Sequence, residues 1–125
     1  MRRMALLLLA LLGCGHERAA VVAAHVTTGQ ETAPEAIEGA SGTLDCPGAF
    51  VPQDLGKSDE DGDLRAQHIG AVPLACSVTI SMAGYQPYTA LLQKVCGAAV
   101  TGGCLTAEMR VVLAPAPGKP SGTSR

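Results

Sequence analysis

The chain has 125 residues, with 9 basic and 11 acidic side chains and a formal net charge of −2. That length suits one small domain. The absence of a Lys/Arg stripe argues against nucleic acid as a partner and against a polybasic contact with anionic headgroups. Aromatic residues are limited to Phe50, Tyr85 and Tyr88, so Val, Leu, Ile and Ala must supply buried area that rings supply in most cores.

In chain order, the first element is a leader. Arg2 and Arg3 precede the apolar run Met4–Leu12, which ends at Gly13 and Cys14. A positive n-region, a short apolar h-region and a small residue predict a secretory signal peptide over 1–13. The run falls short of the roughly 20 apolar residues that a spanning helix needs. Leu11-Leu12-Gly13-Cys14 resembles the bacterial lipobox, at which a leader is cut before a cysteine that carries lipid. That resemblance implies a lipoprotein of the bacterial cell envelope. Cys14 would bear a diacylglyceryl group, with a further acyl chain such as palmitate on the new amino group. The membrane would then be the partner, reached through that lipid. Several acyl chains anchor stably where one is marginal, at about 0.8 kcal/mol per buried methylene. Gly15 stands where an Asp would favour inner-membrane retention, so the resemblance implies the outer membrane. A tether over 14–19 follows, and five residues from Gly15 to Ala19 reach about 17 Å at most.

Residues 20–114 read as short extended segments broken by turns. Val21–Thr28 is β-branched enough for a strand, and Ser41–Cys46 turns Leu44 and Cys46 to one side. Asp63–Ile69 is a weaker strand. Cys76–Met82 is the clearest, with Cys76, Val78, Ile80 and Met82 on one face and Ser77, Thr79 and Ser81 on the other. Tyr88–Val95 is read as a strand, although Leu91, Leu92 and Val95 also fit a short helix. Ala107, Met109, Val111 and Leu113 alternate with Glu108, Arg110, Val112 and Ala114 in the last strand. Six or seven such strands separated by Gly/Pro turns predict an all-β sandwich. From Pro115 to Arg125 the Pro/Gly/Ser composition predicts a disordered tail.

With Cys14 assigned to lipid, Cys46, Cys76, Cys96 and Cys104 form an even set in an oxidising compartment. Four cysteines allow three pairings. Cys46–Cys76 with Cys96–Cys104 is favoured, because Gly97, Gly102 and Gly103 let the shorter loop turn back. Chain entropy assigns about 3.5 kcal/mol to the larger closure and roughly 2.5 to the smaller. Zinc is the competing use, but no Cys-x-x-Cys occurs, which also weakens a thiol-redox role. Without such staples a domain this small and poor in rings is marginal.

Two segments carry a further resemblance. Lys57-Ser58-Asp59-Glu60-Asp61-Gly62-Asp63-Leu64 and Val78-Thr79-Ile80-Ser81-Met82-Ala83-Gly84-Tyr85-Gln86-Pro87-Tyr88 resemble the acidic turn and the Ala-x-Gly-Tyr strand end of carboxypeptidase regulatory-like domains. Ser58 stands in place of that family's Thr and Leu64 in place of its Phe. Thr43–Gly48 would take the place of its second strand. The resemblance implies a transthyretin-like (prealbumin-like) Greek-key sandwich of about seven strands. On the residues alone, Asp61-Gly62 predicts a tight hairpin turn with φ > 0.

Chemistry-bearing patterns are few. Asp59, Asp61 and Asp63 alternate as at the start of an EF-hand loop, but the sixth and twelfth positions, which need Gly and Glu, are Leu64 and Gly70. No metal site is predicted. His16 lies beside the anchor, and His25 and His68 stand singly on candidate strands. No Gly-x-Ser-x-Gly, P-loop or dinucleotide fingerprint occurs. The hydroxyisourate-hydrolysing branch of the transthyretin fold ends in Tyr-Arg-Gly-Ser, whereas this chain ends Ser121-Gly122-Thr123-Ser124-Arg125. The expectation is therefore a membrane-anchored, non-catalytic, cofactor-free sandwich that acts in structure or protein interaction. A small-ligand or carbohydrate-binding module is the alternative. It would use Phe50, Tyr85 and Tyr88 as its surface, and needs Phe50 and Tyr88 exposed together in a concavity. An enzyme would require His25 or His68 beside a carboxylate in a pocket.

Overall fold

The computed structural model describes residues 19–29 and 34–117. The expected leader 1–13, Cys14, His16 and the tail beyond 117 lie outside the described residues. Eight strands run β1 (Ala19–Thr28), β2 (Ser41–Asp45), β3 (Gln53–Lys57), β4 (Asp63–Ile69), β5 (Ser77–Ser81), β6 (Tyr88–Leu91), β7 (Cys96–Val100) and β8 (Gly103–Leu113). One helical turn, α1 (Leu92–Val95), follows β6. The strands form two four-stranded sheets, ordered β4-β1-β8-β7 and β3-β2-β5-β6. The protein is an all-β sandwich.

Period-two patterning builds the interior. Ala20, Val22, Ala24 and Val26 of β1 and Ala107, Met109, Val111 and Leu113 of β8 point inward from the first sheet, with Leu64 of β4 beside them. Leu44, Leu55, Val78 and Ile80 meet them from the second sheet. No aromatic residue is fully buried, so the core is aliphatic throughout its described part. The sheets approach closely where Gly42 of β2 lies under Leu64, whose Cδ1 stands 2.9 Å from the position a Cβ on Gly42 would take.

β1 and β8 pair in parallel, from Val21 opposite Thr106 to Thr28 opposite Leu113. All other neighbours are antiparallel. This fixes two ends. At one end lie the start of β1, the 46–52 loop, the 70–76 crossover and the β7–β8 turn, joined by the Val72–Cys104 bridge. At the other lie the 34–40 segment, the acidic turn 58–62 and the β5–β6 turn.

The structure departs from the sequence expectation at several points. Two edge strands were not expected: β3, in which only Leu55 is buried, and β7, which has no buried residue and whose pairing with β8 is bulged. Segment 88–95 is strand and helix in succession, because the chain leaves the second sheet at Leu91 and Leu92 turns into the core, its amide donating to the Cys76 carbonyl at 2.8 Å. The Asp61-Gly62 turn has the positive φ expected, +83° at Gly62, but it is no hairpin. It carries the chain from β3 in one sheet to β4 in the other. A Cβ on Gly62 would lie 2.5 Å from the Val26 carbonyl oxygen. Ordered chain also continues past the expected boundary at 114: the Gln86 amide donates to Ala114, and the Ala116 amide to Gly84.

The disulfides pair Cys46 with Cys76 and Cys96 with Cys104. Each ties neighbouring strands of one sheet, since Asp45 is opposite Ser77 in the β2–β5 register and β7 pairs β8. At the opposite end Ser58 is the one buried polar side chain among the described residues. Its hydroxyl donates to the Ile37 carbonyl at 2.6 Å and accepts from the Ala40 amide at 3.0 Å. It therefore clamps the β1–β2 crossover to the β3–β4 turn.

Ser58→Ala leaves two buried backbone groups without that partner, and is expected to cost about 1–3 kcal/mol in urea denaturation. Replacing Cys46 and Cys76 together by Ala is expected to lower the melting temperature by on the order of 15 °C, read by circular dichroism. A shift of only a few degrees would mean that the aliphatic core alone holds that end.

Candidate functional site

The outer face of the first sheet brings acids, bases and a histidine together. On β1, β4 and β8 the outward residues fall into cross-strand rows. Ala23 lies between Arg65 and Glu108, and His25 between Asp63 and Arg110. Each row thus carries one acid and one base, on either side of the β1 residue. The small Ala23 side chain leaves a hollow between longer neighbours, an open depression of about 540 Å³ floored by Ala23 and Ala24 and rimmed by those charges.

Within it, the His25 Nδ1–H donates to Asp63 Oδ1 at 2.8 Å. The histidine that stood alone in the sequence thus has a carboxylate beside it, because the antiparallel register of β1 and β4 puts residues 25 and 63 opposite. Both side chains are about half exposed, 47% and 58%, so water screens the pair and it contributes little to stability. A His–carboxylate couple can orient an imidazole to activate a neighbouring hydroxyl or thiol. The residues lining this depression offer none. His68 is satisfied separately, its ring Nδ1 lying 3.2 Å from the Gly70 carbonyl oxygen.

The acidic turn folds on itself. Asp59 Oδ1 accepts from the amides of Asp61 and Asp63, each at 2.9 Å, and Gly62 N donates to the Asp59 carbonyl. This is the Asx-type turn that short acidic side chains favour. Carboxylate oxygens of Asp59, Asp61 and Asp63 lie within 4.8 Å of one another, and all three residues are exposed. Asp59 is engaged by the turn and Asp63 by His25, so both carboxylates already have structural partners.

The three aromatics do not share a surface. Phe50 lies in the loop between β2 and β3, fully exposed. Tyr85 lies at the opposite end, bridged to Pro115, and borders a second hollow with Thr28 and Glu35. Tyr88, opposite Ile80 on β6, packs with Tyr85 against the core. The concave platform that a carbohydrate module would draw from Phe50 and Tyr88 is not formed, because β2 and β6 place them towards different ends of the second sheet.

No protein-family model matches this chain, and no curated protein sequence matches it. No helix among the described residues is long and apolar enough to cross a membrane.

The outward alternation of Glu108 and Arg110 was legible in the sequence. The His25–Asp63 contact was not, since it spans 38 positions and depends on which strands become neighbours. His25→Ala is expected to change the unfolding free energy by less than about 1 kcal/mol, measured by urea titration. A larger loss would show that the charged rows hold the sheet face together.

Proposed function

We propose that this protein is a lipid-anchored lipoprotein of the bacterial cell envelope, whose non-catalytic sandwich serves a structural or protein-interaction role. The observation that carries the reading is Leu11-Leu12-Gly13-Cys14 at the end of a positively flanked apolar run, a lipobox-like ending in signal-peptide context. The paired state of all four remaining cysteines supports an oxidising compartment. A tether of about 17 Å at most holds the domain against the membrane, a geometry that suits an accessory or assembly subunit. β3, β4, β6 and β7 are sheet edges, and an edge can accept a strand from a partner. The acidic turn and the Gly84-Tyr85 turn, each placed at a strand end as in the carboxypeptidase regulatory-like pattern, support assignment to the transthyretin-like Greek-key group. The outer membrane is the proposed location, from Gly15 after the anchor.

Cys14→Ser is expected to move the protein from the membrane pellet to the soluble fraction, read by sedimentation of fractionated cells. Unchanged partition would overturn the lipoprotein reading.

A further inference from the structure

Exposed apolar side chains are unevenly distributed over this sandwich. Among the described residues, six large ones are exposed: Phe50, Val51, Ile69, Leu91, Val100 and Val112. Five stand at the end where β1 begins. Ile69 is opposite Ala19, Leu91 is opposite Ser77 at the start of β5, and Val100 is opposite Gly103 at the start of β8. Phe50 and Val51 occupy the loop that leaves β2 at Asp45, which is also opposite Ser77. Only Val112 lies towards the other end, opposite Thr27. Phe50 is 103% exposed and Val51 73%, so neither is spent on the fold.

Charge is distributed in the opposite sense. The segments 46–52, 69–76 and 96–105, which make up this apolar end, contain no Asp, Glu, Lys, Arg or His. Asp45, Asp54, His68 and Lys94 border it, and His16, Glu17 and Arg18 lie in the sequence between Cys14 and β1. The far end carries Glu35, Glu38, Asp59, Glu60 and Asp61, all exposed. The domain is therefore amphipathic from end to end as well as from core to surface.

The spacing of Cys14 from β1 bears on what this end meets. Cys14 stands five positions before Ala19, and Ala19 opens β1 at the apolar end. We propose that this end is a second membrane contact, in which the Phe50–Val51 loop enters the interfacial region of the bilayer while the acidic end faces away. The proposal rests on the lipid-anchor reading, and adds to it an orientation. A lipid surface is the occupant that these features favour. An anchor on so short a tether delivers this end to the bilayer, aromatic and aliphatic side chains partition into the interface, and a contact without ionisable groups carries no charge-desolvation cost. Acidic residues at the opposite end avoid the negative surface potential of anionic lipids. The Cys46–Cys76 bridge holds the base of the loop, and the Ala49 amide closes its first turn onto the Cys46 carbonyl at 3.1 Å, so the loop presents Phe50 without first having to order.

The chain has no Trp, which gives a direct test. Phe50→Trp in the full lipidated chain introduces a single indole at a position with no packing role, and Glu38→Trp places one at the acidic end. Both variants are reconstituted in phosphatidylcholine vesicles with and without brominated acyl chains. The expected result is blue-shifted F50W emission that loses most of its intensity to brominated lipid and resists aqueous acrylamide. E38W should show the reverse. If F50W sediments with the vesicles yet behaves like E38W, the anchor reading stands and the membrane-contact proposal is overturned. Shielding of F50W from acrylamide without quenching by brominated lipid would also overturn it, because a protein surface would then cover the loop. Failure of the lipidated chain to sediment at all would overturn the anchor reading, and this proposal with it.

Discussion

The parallel pairing of β1 with β8 is the constraint on which the rest of the molecule depends. It joins the first and last strands of the sandwich side by side in the middle of one sheet, over eight residue pairs. Closing so long a stretch of chain costs entropy before any contact repays it. The repayment comes from Val22, Ala24 and Val26 meeting Ala107, Met109 and Val111 on the inner face. Parallel alignment also gives the domain a polarity: both strands start at one end and finish at the other. The start of β1, the disulfides and the uncharged loops thereby fall together, and the acidic turns gather where both strands end.

A core without large rings must be filled by small and aliphatic side chains, and the structure shows where they let the sheets approach. Gly42 lets Leu64 reach across from the opposite sheet, and small Ala side chains at 20, 24 and 107 occupy buried positions. Such packing leaves less apolar area to stabilise the ends of the sandwich than an aromatic core would. The two ends are secured differently. At the apolar end two disulfides tie neighbouring strands. At the acidic end, where no cysteine lies, Ser58 and the self-bonded Asp59 turn satisfy the backbone of the crossovers.

Legibility in the sequence followed burial. Cys76, Val78 and Ile80 on β5, and the alternating residues of β8, announced their strands because one face is dry and the other wet. The β3 and β7 edges gave no such signal, since an edge strand with one buried residue or none has no alternation to read. The acidic turn was recognisable as a turn from Asp61-Gly62, but not as a crossing between sheets. Its local geometry is compatible with either route, and only the pairing of β4 with β1 selects one.

The order of patterned strands, the aliphatic character of the core and the preferred cysteine pairing were all determined by the sequence alone. Each is a property of neighbouring residues or of short spacings, where period-two burial, turn chemistry and loop closure act locally. Tertiary structure alone decided that His25 meets Asp63, that Phe50 is separated from Tyr85 and Tyr88, and that five exposed apolar side chains share one end. These depend on register and strand order across the sheets. Those are chosen by the joint burial of residues far apart in the chain, and a local pattern holds no information about them.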